Sequence, residues 1–399
     1  MKRNLILYLH IFFLFLFVTN LYIYFYHHFG IFRPVIFYTI FGLVLLVSFT
    51  IEKNRWIIIK NKLWILIVIV LFSYNFIAYE FFKNYPLEYI RSFKFIVLGT
   101  GILYSLYIIN LNLKLIFLFT LFLSSFLLCD FFFISEDYVS EKYLTSIYLN
   151  PNQVGAVLPI LLVISLQCDN IADKLKLFLI IIVGIVILFT YSRSGYLAYS
   201  IALIYFLICE RHKKNHIIFM FFLVFTILIL FVEKEILKLL VSRNYHEKLG
   251  LGEVSIFLSG STNVRFENLI YCWEKFLEKP FFGHGFQFFF EEGFIEGGRI
   301  VGPHNMFAKF AVERGIVGIS IILLIFFLLS KYTCKKNRIV LLLIFTQSLF
   351  SHNLFENPTF IGFFAYVAFN NTFKFRLNLK MKENNVKIKS FQIRFFKNL

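Results

Sequence analysis

The sequence predicts an all-α integral membrane protein, with about twelve transmembrane helices and one large outward loop that carries amphipathic helices. Three observations lead there. Of 399 residues, 59% are hydrophobic and only 16% charged, a balance far from that of soluble globular domains. Apolar runs of about twenty residues, the length that crosses a bilayer, recur along most of the chain. Lysine and arginine collect on alternate connections between those runs.

Taken in order, the runs place helices near 5–26, 35–51, 63–80, 91–109, 113–133, 152–168, 175–191, 196–209, 216–232, 304–330, 339–355 and 358–372. Lys2 and Arg3 precede the first without a small-residue cleavage site behind it, so it reads as a retained span. With the N-terminus inside, the basic clusters fall inside too: Lys53, Arg55, Lys60 and Lys62; Arg211, Lys213 and Lys214; Lys331, Lys335, Lys336 and Arg338; and the tail. The outer connections hold few, such as Arg33 and Lys83. The organisation is a bundle over 1–232 (about nine helices), an outer loop over 233–303, about three further helices over 304–372 and a basic cytoplasmic tail over 373–399. The formal charge of +17 is thus accounted for by topology and the bilayer, and no nucleic acid is called for.

Residues 233–303 are too long for a connector. Ser261 or Thr262 can cap a helix reaching Glu278, in which Phe266, Leu269, Ile270, Trp273 and Leu277 share one apolar face. It reads as an amphipathic helix lying over the bundle at the outer membrane surface. Pro280 stops it, and Gly283-His284-Gly285 with Gly297-Gly298 supply turns.

The stretch Gly302–Gly318 then meets the membrane. Pro303 suits a helix start and puts His304 and Asn305 in the first turn. At helical pitch His304, Ala308, Ala311, Gly315 and Gly318 share a face nearly free of side chains. Such a stripe admits either a second helix or a long lipid, and the lipid groove is the reading adopted for Ala308, Ala311, Gly315 and Gly318.

His304-Asn305, nine residues, Gly315, two residues and Gly318 resembles the signature of the O-antigen ligases, and more broadly of the O-antigen ligase and polymerase superfamily of bacterial envelope glycosyltransferases. Arg193 within Tyr-Ser-Arg-Ser-Gly-Tyr-Leu is a second match, and Asn150-Pro151-Asn152, Arg265 with Trp273, and Pro280 before Gly283-His284-Gly285 are softer ones. The resemblance spans about 150 to 318. It implies a donor glycan on undecaprenyl diphosphate, an acceptor that is lipid A-core or a second lipid-linked glycan, and a site on the periplasmic side of the inner membrane, with both termini cytoplasmic.

Residue chemistry is compatible with that. Arg193, in a short turn between spans on the side poor in positive charge, suits a diphosphate, because a guanidinium offers a planar fork where lysine offers a point charge; an interfacial anchor is the alternative. Arg265 is the second diphosphate candidate. His304 has the titration range of a general base. Asn305, Lys309, Glu313, Arg314, His284 and Asn152, with Tyr191 and Asn150 in lesser roles, are the candidate lining of a polar vestibule. Cys129, Cys168, Cys209, Cys272 and Cys334 stand singly, with no metal motif, and no cofactor fingerprint is present.

Three functions follow in order: ligase, polymerase of the same superfamily, and multispanning transporter or lipid flippase. The single dominant outer loop favours the ligase, since the segment 134–151 is short and carries Glu136, Asp137 and Glu141 against Lys142. Polarity gathered at outer helix ends, with no matched halves, argues against the transporter.

Overall fold

The computed structural model describes residues 2–19, 34–51, 61–81, 86–109, 113–134, 150–190, 192–209, 267–285, 288–291, 294–296, 299–351 and 357–369, with isolated positions such as Tyr22, Tyr148, Arg265 and Phe355. The expected span 216–232, the loop before Arg265 with its cap at Ser261 or Thr262, Phe266, Gly297-Gly298, Tyr191 and the tail 373–399 lie outside the described residues. Every other expected span has a helix: α1 (Lys2–Thr19), α2 (Pro34–Ile51), α3 (Lys62–Phe81), α4 (Pro86–Ile109), α5 (Leu113–Cys129), α6 (Pro151–Leu166), α7 (Asp173–Thr190) and α8 (Arg193–Cys209). The loop helix α9 covers 267–278, followed by α10 (Met306–Tyr332), α11 (Arg338–Ser348) and α12 (Pro358–Phe369).

One expectation is met in part and two are corrected. Among the described residues, Leu113–Phe132 and Met306–Tyr332 are long and apolar enough to cross a membrane, while the other apolar helices are shorter, so these helices do not establish twelve spans. The expected helix 339–355 ends at Ser348. The chain is not wholly α: β1 (Phe294–Glu296) and β2 (Arg299–Val301) pair antiparallel, Phe294 against Val301 and Glu296 against Arg299. The segment 233–303 therefore holds a hairpin as well as a helix.

α6 is the centre, buried from Val154 to Leu166 and packed against α5, α7, α8 and α11. A helix apolar all round has no solvent face to spare, and α6 spends every face on neighbours. Interior polar groups are tied between helices. The His10 ring on α1 pairs with the hydroxyls of Ser105 on α4 (2.9 Å) and Ser48 on α2 (2.7 Å), and Thr120 on α5 meets Ser165 on α6 at 2.9 Å. Away from this core, Leu43, Leu46, Ile69, Phe72, Leu118, Phe122, Phe178, Leu323 and Phe327 are exposed. Apolar belts of that extent are stable against lipid and would aggregate in water. The architecture is that of a helical membrane protein.

Candidate functional site

Two helix N-termini are brought side by side by a pair of glycines. Asn150 caps α6, its side chain accepting from the backbone N–H of Asn152 at 2.8 Å. Ser192 caps α8, its Oγ accepting from Gly195 N–H at 3.2 Å, and the same hydroxyl donates to Asn152 Oδ1 at 2.9 Å. Gly155 and Gly195 face each other so closely that a Cβ on Gly155 would lie 2.9 Å from Gly195 Cα. From α11, Gln347 Nε2 donates to the Ser194 carbonyl at 3.1 Å. Arg193 is therefore the first residue of α8, on a braced helix end, and not a member of a free turn as the sequence suggested.

The third part is the start of α10. Asn305 is its N-cap, with extended backbone and Oδ1 accepting from Ala308 N–H at 3.0 Å. His304 consequently stands outside the helix, one residue before the cap, and the expectation that it begins the first turn is corrected. An asparagine side chain that satisfies the orphan N–H groups outcompetes Pro303 as the start signal.

His304 is exposed at the surface yet crowded on its protein side. Its pKa is held below the ordinary histidine range, first by loss of water around the ring and then by the charge of Arg265. Arg265 is in turn lowered by the same kind of burial and by the charge of Arg193. Arg265 thus lies within electrostatic reach of both Arg193 and His304, residues far apart in sequence. Crowding and a neighbouring guanidinium both disfavour the imidazolium form of His304.

Below them, α9 runs back along the first part of α10. Cys272, Phe288, Phe289 and Val312 form a small buried cluster with Ala308 and Tyr271 against it. Lys309 and Glu313 are buried in α10, and burial with the Glu313 carboxylate pushes the Cys272 thiol up to about 12. Arg314 lays its guanidinium over the rings of Phe310 at 4.2 Å and Tyr74 at 5.4 Å, a packing role. His284, proposed for the vestibule, instead fastens the turn after α9: its Nε2 donates to the Lys275 carbonyl at 2.7 Å and its ring packs on Phe288.

The small-residue stripe is also corrected. Gly315 has φ +61°, which breaks α10, so the face does not continue smoothly from Ala311 to Gly318. A Cβ on Gly315 would collide with the backbone of Phe281, and one on Gly318 with the Arg314 side chain. Ala308 faces the Cys272 cluster. At Ala308 and Gly315 the protein's own loop fills the room that a lipid was expected to occupy. The expected apolar face of α9 behaves the opposite way. Leu269, Ile270, Trp273 and Leu277 are exposed, the last two at 60% and 56%, while Asn268 and Cys272 face the protein. Glu267, Glu274 and Glu278 form a separate exposed edge.

Sequence reasoning passed over Gly155, Gly195 and Ser192. Ser192 and Gly195 stand within the Ser-Arg-Ser-Gly string, where a serine one residue before a helix is a cap signal; the partner glycine across the crossing leaves no local signal.

Fold and site together define a helical membrane protein with two arginines and a histidine of lowered pKa gathered at one end of its bundle. Residues 178–323, which contain all three, match the family model described as O-Antigen ligase, a match that supports the O-antigen ligase and polymerase superfamily, whose members are glycosyltransferase-like enzymes. No curated protein matches the chain.

Proposed function

We propose that this protein is an O-antigen ligase-type glycosyltransferase of the inner membrane, moving a polysaccharide from undecaprenyl diphosphate to a hydroxyl of lipid A-core on the periplasmic face. The observation that carries the reading is the gathering of Arg193, Arg265 and His304 from three separate segments. Two guanidiniums match the two charged groups of a diphosphate and hold the leaving group. His304, neutral, takes the proton from the acceptor hydroxyl as its oxygen bonds to the sugar anomeric carbon and the bond from that carbon to the diphosphate breaks. The released products are the glycosylated acceptor and undecaprenyl diphosphate, with the proton on His304. The exposed apolar edge of α9 beside its glutamate edge suits a helix half-immersed in the outer leaflet, which would keep the site at the depth of a lipid-borne diphosphate.

Deleting the gene and resolving the lipopolysaccharide by size tests this reading. Core without polymer, together with accumulated carrier-linked polymer, is the expected result. Single repeats on the core would assign the protein to polymerisation instead, with a second lipid-linked glycan as acceptor. Unchanged lipopolysaccharide would reject both.

A further inference from the structure

The break in α10 is filled in a way that ties the loop helix to the helix next to His304. In an unbroken helix the N–H groups of Ile316 and Val317 pair with the carbonyls of Val312 and Glu313. Here Ile316 N–H donates to Pro280 O at 2.8 Å and Val317 N–H to Phe281 O at 3.4 Å. The Val312 carbonyl accepts from His284 N–H at 2.8 Å and the Glu313 carbonyl from Gly285 N–H at 2.9 Å. All four groups opened by the break are taken up by the turn 280–285. That matters in a membrane protein, where an unpaired backbone group costs several kcal/mol.

The fit depends on two absent side chains. Gly283 has φ +74°, and a Cβ there would run into the backbone of Glu313 and Arg314. Gly315, with φ +61°, would run into the backbone of Phe281 and Phe282. Each glycine makes room for the chain on which the other sits, and each occupies a conformation that disfavours any other residue. From this joint α9 runs antiparallel to the start of α10, through contacts of the Cys272 cluster with Ala308 and Val312, to Arg265, whose charge acts on His304. A shift of one residue at the joint moves α9 by about 1.5 Å along α10. A misplacement of that size is enough to cost about a hundredfold in rate at a catalytic centre.

We propose that Gly283 and Gly315 are a reciprocal lock that fixes the register of α9 on α10 and so positions Arg265 at His304. The proposal rests on the reading of those two residues as parts of a transfer site. Full-length protein in membranes is assayed with undecaprenyl diphosphate-linked glycan and lipid A-core for wild type, Gly283→Ala, Gly315→Ala and the control Gly42→Ala, whose added Cβ meets nothing within 4 Å. Both lock variants are expected to lose at least tenfold in kcat/KM and to move the acid limb of the pH profile upward, as Arg265→Ala does, while the control behaves as wild type. Transfer within twofold of wild type, or a loss with the acid limb unmoved, overturns the proposal.

A second measurement stands if the alanine variants do not accumulate. In a chain otherwise without cysteine, Phe281→Cys and Ile316→Cys, both at exposed positions, are treated with a short bifunctional thiol reagent. The lock predicts efficient linking with transfer retained. No linking, or transfer abolished on linking, contradicts it. Linking needs no activity, so a double-cysteine protein that links but shows no transfer even before the reagent is added counts against the functional reading and leaves the lock standing.

Discussion

Gly155 on α6 and Gly195 on α8 occupy one another's side-chain space: a Cβ on Gly195 would stand 2.8 Å from the Cα of Gly155. This contact lets the capped ends of α6 and α8 meet, with Asn152 bonded to Ser192 and Arg193 next in the chain. Backbone cannot yield as a flexible side chain does. Gly155→Ala and Gly195→Ala should each destabilise by about 1–3 kcal/mol, the usual range for overpacking, seen as a lower midpoint of thermal inactivation in detergent. Transfer should fall with it, because Arg193 moves. Unchanged midpoints in both variants would mean that the two helix ends are not held by this contact.

Arg193 opens a braced helix, so its side chain is presented from a fixed base. If it grips a diphosphate by its fork, Arg193→Lys keeps the charge and loses the geometry, and transfer should drop at least tenfold at normal membrane abundance. Near-normal transfer would make Arg193 an interfacial anchor.

Arg265 lowers the pKa of His304 by disfavouring the imidazolium. A base works in its neutral form, so activity should rise with pH through that pKa, and kcat/KM should show an acid limb below the ordinary histidine value of about 6.5. Removing the guanidinium relieves the repulsion. In Arg265→Ala the acid limb should therefore move up, with activity lost first at mildly acidic pH; a limb that stays in place or moves down would separate the two residues.

What was legible in the sequence follows from what each signal reports. The length of apolar runs reports the bilayer, and so the helices from α1 to α8 and α10 begin within about five residues of their expected starts. Arg193 drew notice because a charged group at a membrane boundary needs a reason to be there, while His304 and Arg265 drew it through the pattern that carries the resemblance. The break at Gly315 was not, since a lone glycine in a helical pattern reads as tolerated and its φ is set by a turn more than thirty residues earlier. Periodicity identified the apolar face of α9 through Leu269 and Trp273 but not what covers it, because a face made for lipid and a face made for protein have the same period.

The central claim is that His304 removes the acceptor proton. A positioned base contributes about 10²–10⁴ in rate, and glutamine matches much of the polar bonding of histidine without accepting a proton at neutral pH. The direct measurement is transfer of purified carrier-linked glycan to lipid A-core by His304→Ala and His304→Gln at matched membrane abundance. The account predicts that both fall at least a hundredfold; substantial transfer by His304→Gln would contradict it, reduce His304 to a binding residue and move the search for the base to Glu313.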